Sequence, residues 1–198
     1  MPQRLPPVLS RFDLPQAELH AARLDGEVYA VDDCFSPIDE IDRRDLRARS
    51  LSALFAPRLI AEQRTAAWVL GVLARPPAQH QFCADIAARV RPTGIARITV
   101  REVVIDESDL FECAGLTVTT PLRTVVDLAR FSRSFGEEEL RIAGALMLLD
   151  EFGVPECVAM LDRRRNLPGK RMALGRIVAA AAYRPTFLLP LDVHLPPS

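Results

Sequence analysis

The chain has 198 residues, of which 49% are hydrophobic, enough for one cored domain or one domain with a small appendage. Only 6% are aromatic, so that core must consist mainly of Leu, Val, Ile and Ala. A net charge of −1 argues against a constitutive nucleic-acid binder.

The charge is unevenly spread. Residues 1–50 hold seven Arg against ten Asp and Glu, whereas residues 161–184 hold six Arg and Lys170 against Asp162 alone. Lys170 is the only lysine, and an Arg- and Ala-rich chain of this kind fits a GC-rich bacterial genome. Cys34, Cys83, Cys113 and Cys157 lie far apart, with no C-x-x-C spacing and no adjacent His. That pattern argues against a zinc site and offers no disulfide framework, so a reduced cytoplasm is expected. The N-terminus lacks the apolar run of a signal peptide, and no apolar stretch is long enough to span a membrane.

In chain order, residues 1–14 carry three prolines and little pattern, which predicts an irregular arm. Pro15 can open a short helix through Leu24 that Asp25-Gly26 ends. The run E-V-Y-A-V-D-D-C-F partly alternates and predicts a strand or hairpin. A helix followed by such a strand resembles the end of a winged helix, with room for about one helix before it. Between Asp39 and Phe55, the residues Ile41, Leu46, Leu51, Leu54 and Phe55 fall near helical spacing, and Pro57 stops the pattern. A second helix is expected over Gln63 to Leu73, with Trp68 in the core.

Residues 80–119 read as β-structure. The strands expected are Phe82 to Ile86, Ala96 to Ile105 and Leu116 to Thr119, with Gly94 and Gly115 at the turns. From Pro121 the pattern is helical. Thr120 is a natural N-cap and Pro121 suits the first helical position. Ser134 to Glu137 spells a capping box for the next helix, which Gly153 is expected to stop. Pro155 begins a third helix running into Arg163-Arg164-Arg165, and Lys170 to Ala182 is a fourth. The four prolines after residue 184 predict an extended tail.

The expected fold is α+β. Residues 1–38 form a reduced winged-helix-like piece, 39–77 a helical linker region, 78–184 a small sheet packed on a helical bundle, and 185–198 a Pro-rich tail.

Two stretches carry a family resemblance: Q-R-T-A-A-W-V-L-G (Gln63 to Gly71) and G-L-T-V-T-T-P-L-R-T-V-V-D-L-A (Gly115 to Ala129). Together they resemble the AbiEi family of antitoxins in its actinobacterial form. The resemblance implies a nucleotidyltransferase-like toxin as partner. Many members also bind their own promoter through an N-terminal winged helix, so operator DNA is a second implied partner. The short, acidic N-terminus here departs from that pattern and weighs against DNA binding. A mycobacterial branch is described as atypical serine kinases that phosphorylate the toxin, which would bring ATP and Mg²⁺ as cofactors.

No standard enzyme signature supports that activity: G-x-x-x-x-G-K-[ST], H-R-D, D-F-G and G-x-S-x-G are all missing. Under the kinase reading, Lys170 with Arg171, and a carboxylate such as Asp150 or Asp162, are the candidate residues. Arg123 and Asp127 lie four apart on one helix face, either as a phosphate contact or as a structural ion pair. Arg163, Arg164, Arg165, Arg171 and Arg176 form the candidate partner- or phosphate-binding group. The cations at Lys170 and Arg171 open a helix, where the dipole disfavours them unless an anion is present. His20, His80 and His194 are scattered, and no catalytic role is expected of them.

Overall fold

The computed structural model describes residues 5–55, 58–86, 97–163 and 167–183. The fold is α+β, and the chain divides into two compact units, Met1–Thr120 and Pro121–Ser198.

The first unit opens with α1 (Gln16–Leu24), which follows Pro15 and ends at Asp25, as its sequence indicates. A hairpin of β1 (Val28–Val31) and β2 (Cys34–Pro37) comes next, turning at Asp32-Asp33. Leu9, Leu19, Val28 and Phe35 form a small apolar cluster of their own.

The next helix, α2 (Arg44–Ser52), is shorter than the spacing over 39–55 predicts. Arg43 is extended (φ −142°, ψ 169°), which ends the helix on its N-terminal side. Asp42 turns its carboxylate onto Arg47 through bonds of 2.8 and 2.7 Å. Ile41 fits the helical period yet lies outside the helix and is 71% exposed.

After β3 (Ile60–Ala61) comes α3 (Gln63–Val69), which stops short of Leu73 because of Gly71. Gly71 has φ +86°; its N–H reaches the Trp68 carbonyl at 3.0 Å, and the Val72 N–H reaches that of Ala67 at 2.9 Å. This left-handed closure favours glycine because a Cβ is disfavoured there.

The remaining strands are β4 (His80–Asp85), β5 (Ile98–Val103), β6 (Leu110–Cys113) and β7 (Leu116–Thr119). The sheet order is β5-β4-β3-β7-β6. Its middle strand is only two residues wide: β3 pairs antiparallel with β4 (Ile60↔Cys83, Ala61↔Phe82) and parallel with β7 (Ile60↔Thr117, Ala61↔Val118). Strands β4 and β5 run parallel over six residues. Parallel strands need a connection of a dozen residues or so rather than a tight turn; Gly94, expected at a turn there, lies outside the described residues. The β6–β7 hairpin is tight, with Ala114-Gly115 as its loop. β3 and β6 have no clear signal in the sequence: one is very short, and the other follows a polar 3₁₀ turn at Glu107–Asp109.

The second unit is a bundle of α4 (Pro121–Phe131), α5 (Glu137–Leu149), α6 (Val154–Asp162) and α7 (Lys170–Ala182). Helix α4 packs against the other three, and α5 packs against α7. At Gly144 of α5, an added Cβ would stand 3.1 Å from the Ala180 carbonyl oxygen, so α5 and α7 approach backbone to backbone there. The core holds Val125, Leu128, Ile142, Leu146, Leu161 and Ile177.

Two helix ends differ from expectation. The N-cap of α5 is Gly136, with the Glu139 carboxylate accepting its N–H at 3.1 Å, in place of the Ser134 to Glu137 box. Gly153 does not end α5. It caps α6, where Glu156 accepts its N–H at 2.9 Å. Helix α5 ends earlier, at Asp150, with Glu151 at φ +50° and the Phe152 N–H on the Met147 carbonyl at 3.1 Å. Among the described residues, no helix is long and apolar enough to cross a membrane.

Glu151 holds the same left-handed position in α5 that Gly71 holds in α3, but with a Cβ. Glu151→Gly is therefore expected to raise stability by up to about 1 kcal/mol, and Gly71→Ala to lower it by about 1 kcal/mol. Guanidinium chloride unfolding of the two variants beside the wild type checks both signs.

Candidate functional site

The segment Gly115 to Ala129 passes from the β6–β7 turn through β7 into α4. Thr119, Arg123, Thr124 and Asp127 within it are buried. The Thr119 hydroxyl donates to the Ala61 carbonyl at 3.4 Å, and Thr124 is fully buried. In α4, the Arg123 Nε donates to Asp127 at 2.9 Å, and the Arg130 guanidinium lies 3.9 Å from the same carboxylate. Asp127 is buried between two nearly buried guanidiniums. A buried carboxylate needs such partners, and the three together anchor one helix.

The cationic group after it divides into different roles. Arg163 is exposed at the end of α6, while Arg164 and Arg165 lie outside the described residues. Arg171 is exposed in the first turn of α7. Arg176 is turned inward: it donates to the Ala129 carbonyl at 2.9 Å and the Ser132 carbonyl at 3.2 Å, with its guanidinium 5.1 Å from the centre of the Phe135 ring. It thus satisfies carbonyls at the end of α4, where a cation is favoured.

Lys170 donates its ammonium to Asp162. Asp150 stands at the C-cap of α5, where partial burial raises its carboxyl above the ordinary range. The ion pair thus joins Lys170 to Asp162, and no described ion pair joins it to Asp150. Among the described residues, no group of three or more His, Cys, Asp or Glu is gathered as metal ligands would be.

The densest polar chemistry lies in the first unit, at residues with no motif to mark them. The His80 ring is fully buried. Its Nε2 meets Asp32 at 3.0 Å, and its Nδ1 meets the Thr65 hydroxyl at 3.3 Å. Thr65 in turn accepts the Gln81 N–H at 2.8 Å, and Arg97 reaches the other Asp32 oxygen at 3.2 Å. This resembles a nucleophile relay in connectivity, but Thr65 and His80 are sealed beneath Phe55, Trp68 and Phe82, closed to substrate. Burial pushes the Asp32 carboxyl up; the His80 hydrogen bond, the His80 and Arg97 charges and the Asp33 N–H outweigh it and hold the carboxyl below its usual value.

The cysteines are equally closed. All four are buried, and burial pushes the thiols of Cys34 and Cys157 up to about 12. A thiol at that value carries almost no thiolate at neutral pH, so neither is a nucleophile.

Two outcomes follow from this geometry. Because the folded-state value of Asp32 is depressed, its contribution to stability is present above the ordinary carboxyl range and disappears as pH falls through the folded value. Asp32→Asn is expected to lose about 2 kcal/mol at pH 7 and to converge with the wild type in acid, as pH falls through the depressed folded-state value, in denaturant titrations across that range. A maleimide is expected to leave Cys34 and Cys157 unlabelled in the native protein at pH 8 and to label them after unfolding; rapid native labelling would contradict their burial.

Residues 59–142 match the AbiEi antitoxin C-terminal domain. That span includes both Gln63 to Gly71 and Gly115 to Ala129. The chain is also similar to the crystal structure of the RV2827C protein from Mycobacterium tuberculosis, at 20% identity and a TM-score of 0.49, over 88% of this chain and 72% of that one. No curated protein matches the chain. Over residues 59–142, 84 of its 198 residues, the chain is thus similar to the AbiEi antitoxin C-terminal domain.

Proposed function

We propose that this protein is an antitoxin that neutralises a nucleotidyltransferase-like toxin by binding it directly. The observation that carries the reading is the AbiEi antitoxin C-terminal domain over residues 59–142. An antitoxin implies a toxin, and the side chains of this chain favour contact over catalysis. The Lys170 ammonium is engaged by Asp162. Arg123 and Asp127 are occupied with each other inside α4. Cys34 and Cys157, buried and with their thiols pushed up to about 12, lack nucleophilic character. Arg163 and Arg171 are exposed to solvent.

The region around α1 and its hairpin favours a protein over operator DNA. Asp13, Glu18, Asp25 and Glu27 outnumber Arg11 and Arg23 there, while Asp32 and Asp33 are paired with Arg97. A phosphate backbone is drawn by an excess of cations and repelled by this balance.

Co-expression with a cognate nucleotidyltransferase-like toxin is expected to restore growth that the toxin alone arrests. The toxin mass, after incubation with this protein, ATP and Mg²⁺, is expected to equal that of toxin incubated with nucleotide alone. Persistent arrest would sink the antitoxin reading. A mass gain of one phosphoryl group that depends on this protein would replace direct binding with phosphorylation.

A further inference from the structure

Strands β1 and β2 form a two-stranded sheet of their own and share no ladder with the five-stranded sheet. A lone hairpin is marginal in water and needs a further element to bury its apolar side. Here α1 and Leu9 supply it, through the cluster of Leu9, Leu19, Val28 and Phe35. Leu9 and Phe35 also exchange both backbone hydrogen bonds, at 2.7 and 2.8 Å. The segment from Leu9 to Pro37 thus has its own small core and its own hydrogen bonds, the marks of a unit that opens by itself. The irregular backbone that follows it, residues 39–43, holds Ile41 out in solvent, so little packing fixes that connection.

The tip of the hairpin is fastened to the sheet by charge. Asp32 turns at φ +55°, a left-handed conformation that aspartate tolerates better than most residues. Its carboxylate is only 1% exposed. One oxygen meets His80 Nε2 at 3.0 Å and the other the Arg97 guanidinium at 3.2 Å. Arg97 also holds Asp33, at 2.5 Å. Withdrawing a carboxylate from water is costly without such partners, so the tip seats only against both. Val31 and Cys34 beside it are buried as well, and the Cys34 thiol reaches the Ser50 carbonyl of α2 at 3.5 Å. The hairpin precedes residues 59–142, whereas His80 and Arg97 lie within them, so the ion pairs join a separate segment to the family-like stretch.

We propose that the segment from Leu9 to Pro37 is a cover, latched over His80 by Asp32, that opens as one unit while the five-stranded sheet stays folded. Closed, it shields the Nε2 side of the imidazole and the Ser50 end of α2. Opening uncovers both and breaks the His80 and Arg97 contacts together, because one carboxylate makes them.

Hydrogen exchange of the full chain, read by mass spectrometry on peptides from α1, the hairpin and β4, tests this. In the wild type, the amides of the cover are expected to exchange together and faster than those of β4. Arg97→Gln removes the charge from a half-exposed side chain. It is expected to speed exchange in the cover about tenfold and to leave β4 unchanged. His80→Phe keeps an aromatic ring among Phe55, Trp68 and Phe82 but removes both nitrogens, and is expected to speed the cover at least as much.

A cover that exchanges at the rate of β4 in the wild type overturns the proposal, since it then opens only with the sheet. In Arg97→Gln, acceleration of β4 in step with the cover, or no acceleration of the cover, overturns it too. Unchanged exchange of the cover in His80→Phe overturns the latch.

Discussion

The sheet of the first unit depends on one buried carboxylate at its narrowest point. Strand β3 offers only Ile60 and Ala61 to two neighbours, too little backbone pairing to hold a five-stranded sheet by itself. Glu62, the next residue, is almost fully buried and receives both sides of the Arg101 guanidinium, with Nε at 2.8 Å, from β5. That pair straps the middle strand to the edge of the sheet across β4. A bidentate guanidinium is the partner best suited to a carboxylate withdrawn from water. Gln63 adds an amide donor at 3.1 Å and accepts a left-handed backbone (φ +49°) in this position.

The same stretch explains why α3 starts where it does. The Glu62 N–H goes to the Gln81 carbonyl at 3.0 Å, the Arg64 N–H to the Gln81 side chain at 3.0 Å, and the Thr65 hydroxyl accepts the Gln81 N–H at 2.8 Å. The backbone leaving β3 is thus stitched to β4 before the helix begins. His80 precedes Gln81 and reaches back to Asp32, so the hairpin turn joins the same polar array. Arg47 performs the comparable task for α2 and α3. It donates to the carbonyls of Trp68 and Leu73 at 2.8 and 2.9 Å and lies over the Trp68 ring. These groups cannot be lost singly without leaving a buried partner unsatisfied.

The second unit is organised by packing rather than by charge. Its small residues, Gly144, Ala173 and Ala180, let α5 and α7 approach closely. The buried ionic group Arg123–Asp127–Arg130 lies within α4. Arg176, read from sequence as part of a cationic surface, serves the bundle by closing the end of α4. This redistribution leaves the outward chemistry of the described residues of α6 and α7 to a few side chains, Arg171 among them.

Sequence alone determined what local chemistry and periodicity can express. The start of α1 after Pro15, α4 after Thr120 and α7 after Gly169 were legible because proline, threonine and glycine act on their immediate neighbours. The segment Gly115 to Ala129 was legible as a family signature, and the (i, i+4) spacing of Arg123 and Asp127 already allowed their pairing. Tertiary structure decided the rest. Strand β3 is too short to alternate, and its partners lie more than twenty and more than fifty residues away. Asp32, Thr65 and His80 meet because three separate elements converge, which no spacing along the chain encodes. The arginines after residue 161 look alike in sequence. Whether one reaches a carbonyl, as Arg176 does, or faces outward, as Arg171 does, depends on which side of the helix the bundle covers.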